Sequence, residues 1–264
     1  MKTMRHQDQA RDGSLPAFTL IELLAVIAVI AILAAMLMPA VVRSKSQATK
    51  ISCIDNVKQL ALSMQIYVDD NHGFFPPRTR YNLWPSRIFD GYRDLRILIC
   101  PNDGPDDPAS WIPNPPAGMT FPADGKPRSY MYNGWNDYMA SKLSDADMSA
   151  YMHGTYDGPT MKENVILRPS DLVVLGEKLH TSKHYHMDLM ETDPSTGGVG
   201  NDLYELNRSR HGAGGRSDNG STSGGSNYSF ADGSVRFIKF NDILSPENMW
   251  AVTDAGRTNF AAQP

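Results

Sequence analysis

Residues 18–38 decide the fold of this chain, and they read FTLIELLAVIAVIAILAAMLM. The run contains one charged side chain, Glu22. At about 1.5 Å per residue it predicts a helix of about 30 Å, the thickness of a bilayer's hydrocarbon core. A charge at the bilayer centre costs on the order of 2.5 kcal/mol, so a carboxylate near one end needs a compensating role. The run therefore predicts a membrane-spanning helix with a functional acid.

The residues around the start of this run, PAFTLIELL at positions 16–24, resemble a processing motif. The motif is the cleavage and methylation site of type IV prepilins and type II secretion pseudopilins. The resemblance implies that a membrane prepilin peptidase cuts between Ala17 and Phe18 and that Phe18 is then N-methylated. Pro39 matches the helix-kinking proline of the family. The chain departs from the family at Ala17, where glycine is usual.

Cleavage would give Phe18 a charged amine close to Glu22. Buried charges persist in proteins when they are paired, so we expect Glu22 to neutralise the amine of a neighbouring subunit in a filament. Two ordinary explanations compete with this one. A secretory signal peptide has a shorter apolar region and a small-x-small cleavage site, and the first fifty residues contain no A-x-A. A plain membrane anchor explains the length of the run but not Glu22.

Composition and charge describe the rest of the chain as one loop-rich head. A net charge of −4 without a basic stripe gives nucleic-acid binding no electrostatic basis. Eighteen prolines and 21 glycines favour a head rich in loops. The short basic leader is expected to stay cytoplasmic, although Arg43, Lys45 and Lys50 beyond the helix make the charge asymmetry weak. The prepilin resemblance, more than the charge count, implies a single-pass inner-membrane protein with a periplasmic head. The predicted divisions are a leader (1–17), a membrane or filament-core helix (18–42), its amphipathic continuation (43–71) and the head (72–264).

The helix is predicted to continue from Phe18 to about Asp70. Beyond the anchor, apolar residues recur at alternating spacings of three and four, which is typical of one helix face; they are Ile54, Val57, Ala61, Met64 and Val68, widened by Cys53, Leu60 and Tyr67. The opposite face carries the polar residues Lys50, Asp55, Gln59 and Asp69. The sequence Asn71-His72-Gly73 then provides a stop.

The head shows strand and turn signals. We predict strands over residues 95–99, 129–132 and 172–175, and a short helix over 246–252. Residues 228–230 and 235–240 flank Asp232-Gly233 and predict a β-hairpin. The expected fold class is α+β, with a long N-terminal helix packed on a small antiparallel sheet with long loops, as in pilins.

A second resemblance covers nearly the whole chain. Several stretches are similar to a group of pilin-like proteins with a C-terminal histidine-spacer-Asp-Gly motif, here His211, Asp232 and Gly233; the others are CIDNVKQL at 53–60, ICPND at 99–103, SYMYN at 129–133 and VLGE at 174–177. The usual spacer has about nine residues, whereas twenty separate His211 from Asp232. The excess lies in a Gly/Ser-rich run whose composition is that of a flexible loop.

Both cysteines of the chain, Cys53 and Cys100, lie on the extracytoplasmic side in this interpretation. A disulfide is permitted there, and the resembling proteins commonly have both cysteines. We therefore predict a Cys53–Cys100 bridge that would contribute about 4 kcal/mol through chain entropy. Two separate buried thiols are the alternative.

Three other groups of residues suggest chemistry more weakly. The most metal-like group is Glu177, His180, His184, His186 and Asp188, in which His184 and His186 of an extended segment could share an ion. Their spacing matches no zinc signature, and an exposed polar loop that contains histidines is the simpler explanation. Calcium could bind the hard oxygen donors of Asp218, Asn219 and Asp232, although they match no EF-hand loop and a hairpin turn beside a linker is the simpler explanation. His211 and Asp232 with a serine would resemble a catalytic triad, but the chain has no G-x-S-x-G elbow. We assign no catalytic residue, no metal ligand and no cofactor from the sequence.

The resemblances imply a structural, non-enzymatic subunit of a type IV pilus or type II secretion pseudopilus. Its expected partners are the prepilin peptidase, other pilin or pseudopilin subunits and the inner membrane. Two other classes stay open at this point. One is an anchored binding protein that never polymerises, and the other is a metal-dependent hydrolase that uses the segment from His180 to Asp188.

Overall fold

A computed structural model describes residues 19–104, 106–191, 201–212 and 223–261 of the chain. The fold is mixed α/β, with one long N-terminal helix and a five-stranded, mostly antiparallel sheet. The chain divides into two compact units, one that extends through Lys45 and one that begins at Ser46. The boundary falls inside the long helix, and each unit is described by itself below.

Helix α1 spans Leu20–Asp70, which confirms the predicted long helix. It ends where the sequence places a stop. Gly73 adopts a left-handed φ of 84°, and its N–H donates to the carbonyl of Val68 at 2.8 Å. Glycine reaches this conformation without steric penalty, and a carbonyl of the last helical turn is satisfied as a result.

The part of α1 that belongs to the second unit buries one face. Its fully buried residues are Cys53, Val57, Leu60, Ala61, Ser63, Met64 and Val68, close to the predicted stripe. Asp55, Gln59 and Asp69 are exposed as expected. Lys50 differs from the prediction, because it is half-buried and its Nζ lies 3.3 Å from the centroid of the Phe237 ring. A cation over an aromatic face is attracted by the ring quadrupole.

The sheet lies in the second unit. Its strands are β1 Tyr130–Asn133, β2 Val173–Glu177, β3 His186–Met187, β4 Gly225–Phe230 and β5 Val235–Lys239, in the spatial order β3-β1-β2-β4-β5. The β1–β3 pair is parallel and the other pairs are antiparallel. The predicted strands at β1 and β2 and the predicted hairpin β4–β5 are confirmed. Gly233 takes φ 78° in the hairpin turn, as an Asp-Gly turn requires.

Both faces of the central strands are covered. Tyr130 and Tyr132 of β1 belong to one apolar cluster with the buried face of α1. Met131, on the opposite face, packs in a second cluster with Trp250 near the C-terminus. Successive side chains of a strand point to opposite faces, so one short strand serves both clusters.

Short helices connect these elements. They are α2 Trp84–Arg87, α3 Phe89–Tyr92, α4 Asn136–Ala140, α5 Asp145–Met152 and α6 Asp254–Asn259, with 3-10 turns at Leu95–Leu98, Glu163–Val165, Pro169–Asp171 and Asn201–Glu205.

Two predictions in the head are wrong. Residues 95–99 form a 3-10 turn instead of a strand, because the Asp94 carboxylate accepts the N–H of Arg96 and caps a helical turn. The helix expected over 246–252 begins later, at Asp254. There the hydroxyl of Thr253 accepts the N–H of Gly256 and caps α6. In both cases one side-chain cap sets the local structure.

Candidate functional site

The apolar half of α1 is the first of two candidate functional features in the described part of the chain. Its large apolar side chains are exposed on all sides of the helix, from Leu20 at 82% to Val42 at 64%. By length and composition this helix could cross a membrane. Contiguous exposed apolar surface of this extent marks a membrane or protein contact.

Glu22 lies in the first turn of α1 and forms a capping box with Thr19. The N–H of Thr19 donates to Glu22 Oε2 at 2.9 Å, and the N–H of Glu22 donates to Thr19 Oγ1 at 3.3 Å. The reciprocal bonds satisfy two amide groups that the helix itself leaves unpaired. Glu22 therefore has a local role within one chain, beyond the intersubunit role expected from the sequence.

The other predicted processing and assembly residues have different outcomes. Ala17 and Phe18 lie outside the described residues. Pro39 lies inside α1, which continues through it to Asp70.

The second feature is a buried cluster in which four distant segments meet. It consists of Cys53 on α1, Cys100 after the first 3-10 turn, Glu177 at the end of β2 and His211 before β4. One side-chain donor atom from each residue lies within 4.8 Å of the other three. Glu177 Oε1 lies 2.8 Å from Cys53 Sγ and 2.9 Å from His211 Nε2, and Cys100 Sγ lies 3.8 Å from His211 Nε2. We refer to these residues as the four-donor cluster.

The sheet register brings Glu177 to α1. Tyr130 of β1 pairs with Glu177 of β2, and the Tyr130 hydroxyl lies 3.2 Å from Cys53 Sγ. Cys100 is held beside them because its N–H donates to the hydroxyl of Ser129, the residue before β1.

Backbone bonds place His211 on the other side of Glu177. Lys178 forms a β-bridge with Leu206, so the chain leading to His211 runs beside the end of β2. The N–H of His211 then donates to the carbonyl of Gly225 at 2.9 Å, at the first residue of β4. The four-donor cluster is therefore fixed by the fold rather than by its side chains alone.

Electrostatics in the cluster favour a charged Glu177–His211 pair. Burial by itself would raise the pKa of Glu177, but the charge and hydrogen bond of His211, the charge of Arg210 and the hydrogen bond from Cys53 together lower it to about 2. Burial by itself would lower the pKa of His211, but the charge of Glu177 raises it to about 9. Burial raises the pKa of the Cys53 thiol, which keeps it protonated beside this pair.

A buried ion pair flanks the cluster. The guanidinium of Arg210 pairs with the carboxylate of Asp103 and also donates to the carbonyl of Lys178. Burial by itself would lower the pKa of Arg210, but the negative charges of Asp103, Glu177 and Cys100 raise it. Arg210 therefore supplies a permanent positive charge next to the cluster.

The predicted disulfide is not formed in the structure, where Cys53 and Cys100 are free thiols. Both sulfurs lie within 4.8 Å of each other and of donor atoms of Glu177 and His211, with which they share one polar cluster.

The residues of the predicted metal-like group have separate partners. His180 pairs with Asp103 and His184 with Asp202, at 3.2 and 2.8 Å. Asp188 forms a two-pronged pair with Arg78, and Glu177 belongs to the four-donor cluster. His186 is buried in β3, and burial, aided by the charge of Arg78, lowers its pKa to about 3. The structure therefore does not bring these five residues to one ion.

A cleft of about 380 Å³ opens beside this segment. Among its lining residues are Arg78, Arg80, Trp111, Lys183, His184 and Glu191. Trp111 is 46% exposed, so the cleft offers an aromatic surface among charged groups. Such a concave surface with a few convergent polar groups can hold a small polar ligand.

The histidine-spacer-Asp-Gly motif does not form a His–Asp pair. His211 lies beside the first residue of β4, whereas Asp232 lies in the turn after its last residue, where its carboxylate accepts the N–H of Ser234. Six strand residues, at about 3.3 Å each, separate the two ends. Gly212 and Gly224, on either side of the Gly/Ser-rich run, lie in close contact, since a Cβ added at Gly224 would clash with Cα of Gly212.

Of the predicted calcium donors, Asp218 and Asn219 lie outside the described residues. The third, Asp232, is exposed in the turn after β4.

Comparisons with known proteins leave the chain without a match. No family model, no curated protein and no solved structure matches it. The residues and their geometry are therefore the basis for a function.

The residues of the four-donor cluster belong to three separate predictions from the sequence. These are the disulfide for Cys53 and Cys100, the metal-like group for Glu177 and the histidine-spacer-Asp-Gly motif for His211. The signal that could have joined them is that each lies in one of the short stretches that carry the second resemblance. The distances between them depend on the sheet register, which the sequence pattern does not give.

Proposed function

We propose that this chain is a prepilin-like structural subunit, cut before Phe18 and N-methylated there. In this account it assembles through its N-terminal helix into a type IV pilus or a type II secretion pseudopilus. The apolar half of α1 first lies in the inner membrane and then in the filament core. Residues 72–264 form the extracytoplasmic head, and residues 43–71 are the amphipathic continuation of the helix that carries it.

The observation that carries this proposal is the first turn of α1. Apolar side chains from Leu20 onward are exposed on all sides of the helix, and one carboxylate, that of Glu22, lies at its start. Such a helix lowers its free energy by burial in lipid or among copies of itself. After cleavage the amine of Phe18 would adjoin Thr19, whose N–H already donates to Glu22. In a filament, the Phe18 amine of a neighbouring subunit would be neutralised at the same carboxylate, that of Glu22.

The capping box suggests a sharper experiment than removal of Glu22 alone. Glu22→Gln keeps an oxygen that can accept the N–H of Thr19 but removes the charge, whereas Glu22→Ala removes both. We expect both variants to insert into the membrane and both to be lost from sheared filaments in native cells. Normal filament incorporation of Glu22→Gln would show that Glu22 only caps the helix, and it would contradict the proposed role.

The cleft beside Trp111 favours one second candidate, an anchored binding protein that does not polymerise. Its aromatic surface and charged rim suit a small polar ligand such as a sugar. Full-length protein that keeps its leader and stays monomeric after detergent extraction would favour this candidate. In the segment that a metal-dependent hydrolase would use, His180, His184 and Asp188 have separate partners, while donor atoms of His184, Glu191 and Asp202 lie within 4.8 Å of one another.

A further inference from the structure

The four-donor cluster consists of side chains that have no role in the proposed assembly. From this geometry we propose that Cys53, Cys100, Glu177 and His211 bind one zinc ion and that the ion fastens α1 to the sheet. The inference is independent of whether the chain forms filaments.

The donor types suit zinc. Two thiols, an imidazole and a carboxylate are ligands that zinc uses in proteins, and soft thiolates exclude calcium and magnesium as the preferred occupant. All four residues are nearly inaccessible to solvent: Cys53 and Cys100 are at most 1% exposed, and the side chains of Glu177 and His211 at most 3%.

The distances require only small adjustments. Ligand atoms about 2.0–2.3 Å from a tetrahedral zinc ion lie about 3.3–3.8 Å from one another. Cys53 Sγ lies 2.8 Å from Glu177 Oε1, and the donor atoms of the four residues all lie within 4.8 Å of one another. The shortest separations are hydrogen bonds, which metal binding would replace as the protons leave.

The fold orients the donors in advance. Glu177 Oε2 accepts the N–H of Asn227 at 3.1 Å, which leaves Oε1 directed at the two sulfurs and the imidazole. Cys100 and His211 are each held by a backbone N–H bond, to Ser129 and Gly225 respectively. Supporting bonds of this kind fix ligand direction in metal sites.

Zinc would leave one negative charge on the cluster. Two thiolates and one carboxylate carry three negative charges, and zinc supplies two positive charges. The single remaining negative charge lies near the buried guanidinium of Arg210, whose charge acts on Glu177 and Cys100 as well as on Asp103. A buried anion next to a fixed cation is tolerated where an isolated one is not.

Four protein donors leave no position for water or substrate, which is typical of structural zinc and not of catalytic zinc. One donor comes from α1, one from the end of β2 and two from connecting segments. Zinc would therefore cross-link the buried part of α1 to the sheet, the role first expected of a disulfide.

The test uses full-length protein purified in detergent under reducing conditions. We expect about one zinc per chain by elemental analysis. Replacement by cobalt should give the visible bands of a tetrahedral site and thiolate-to-cobalt charge-transfer bands in the near ultraviolet. A folded, reduced protein with two titratable thiols that binds no zinc and gives no such cobalt spectrum would overturn the proposal. A Cys53–Cys100 disulfide in all molecules from native envelopes would overturn it as well.

Variants locate the ion. Glu177→Gln and His211→Ala should each weaken zinc binding at least tenfold, while His184→Ala should not. His184 is the matched control because it forms a second group of donors with Glu191 and Asp202. Binding lost in His184→Ala but kept in His211→Ala would overturn the assignment. If His211→Ala fails to fold, the cobalt spectrum of the wild type still decides whether thiolates bind the metal.

Discussion

The two halves of helix α1 share one secondary structure and have opposite surroundings. In residues 20–42 the apolar side chains are exposed around the whole helix. In the second half one face, from Cys53 to Val68, is buried and the other carries exposed polar groups. The difference teaches that the distribution of apolar residues around a helix identifies its partner. A helix that is apolar on all sides is stabilised by burial in lipid or among other copies of the chain, whereas a helix with one apolar face is stabilised by packing against the rest of its own chain.

Among the substitutions that test this difference, we expect the largest loss of stability at Leu60. Leu60→Ala should destabilise the head by about 2–5 kcal/mol, because Leu60 is fully buried and its truncation leaves a cavity. Leu33→Ala, in the exposed half, should leave the stability of the head unchanged. Urea unfolding in detergent, followed by the fluorescence of the buried Trp84, Trp135 and Trp250, measures both variants. Equal losses in the two variants would contradict the distinction.

A smaller effect is expected where a short helix approaches the buried half of α1. A methyl group added at Gly91 of α3 would lie 2.7 Å from Cβ of Ser63. Gly91→Ala should therefore cost about 1–3 kcal/mol through overpacking. The control is Gly118→Ala, where the methyl group meets nothing within 4 Å and only a left-handed φ of 87° opposes it. Unfolding midpoints compare the two, and a smaller loss at Gly91 than at Gly118 would refute the close contact.

Lys50 lies on the side of α1 that the sequence assigns to solvent. Its amine lies over the Phe237 ring, so Lys50→Met should cost about 0.5–1 kcal/mol. The exposed Lys58 on the same helix is the matched control, and Lys58→Met should change stability by less than about 0.5 kcal/mol. The same urea unfolding experiment measures the stability of both variants. Equal stabilities would show that the contact between Lys50 and Phe237 does not stabilise the protein.

His184 of the head has a charged partner within the chain, Asp202, whereas the proposed partner of Glu22 lies in another subunit. The hydrogen bond to Asp202 raises the pKa of His184 from 6.5 to about 9. The stabilisation from the raised pKa of His184 is lost as the pH rises through 9, and because burial raises the pKa of Asp202 to about 6, the charged pair is present between about pH 6 and 9. Asp202→Asn should return the pKa of His184 toward 6.5, which an NMR titration of its ring protons measures. An unchanged His184 titration would show that the pair does not form.

How far the sequence predicts the structure depends on whether the information is local. The stop at Gly73 and the turn at Asp232-Gly233 are set by neighbouring residues, and both are predictable. The buried stripe is predictable because a regular spacing repeats along one helix. The position of His211 beside Glu177 is not, because it depends on which residues of β2 and β4 stand next to each other.

The first turn of α1, in its apolar half, shows the same limit of prediction from the sequence. The sequence of residues 16–24 predicts a charge partner for Glu22 in another subunit. That prediction does not include the hydrogen bond between Glu22 and Thr19. The signal for the bond is present, since threonine three residues before glutamate at the start of an apolar run is a capping box.

The most direct test of the proposed function is mass spectrometry of the N-terminal peptide of this protein from native cell envelopes. We predict a chain that begins at Phe18 and carries one added methyl group on its amine. Molecules that all retain residues 1–17 would contradict processing and assembly, and they would leave an anchored protein with a folded head.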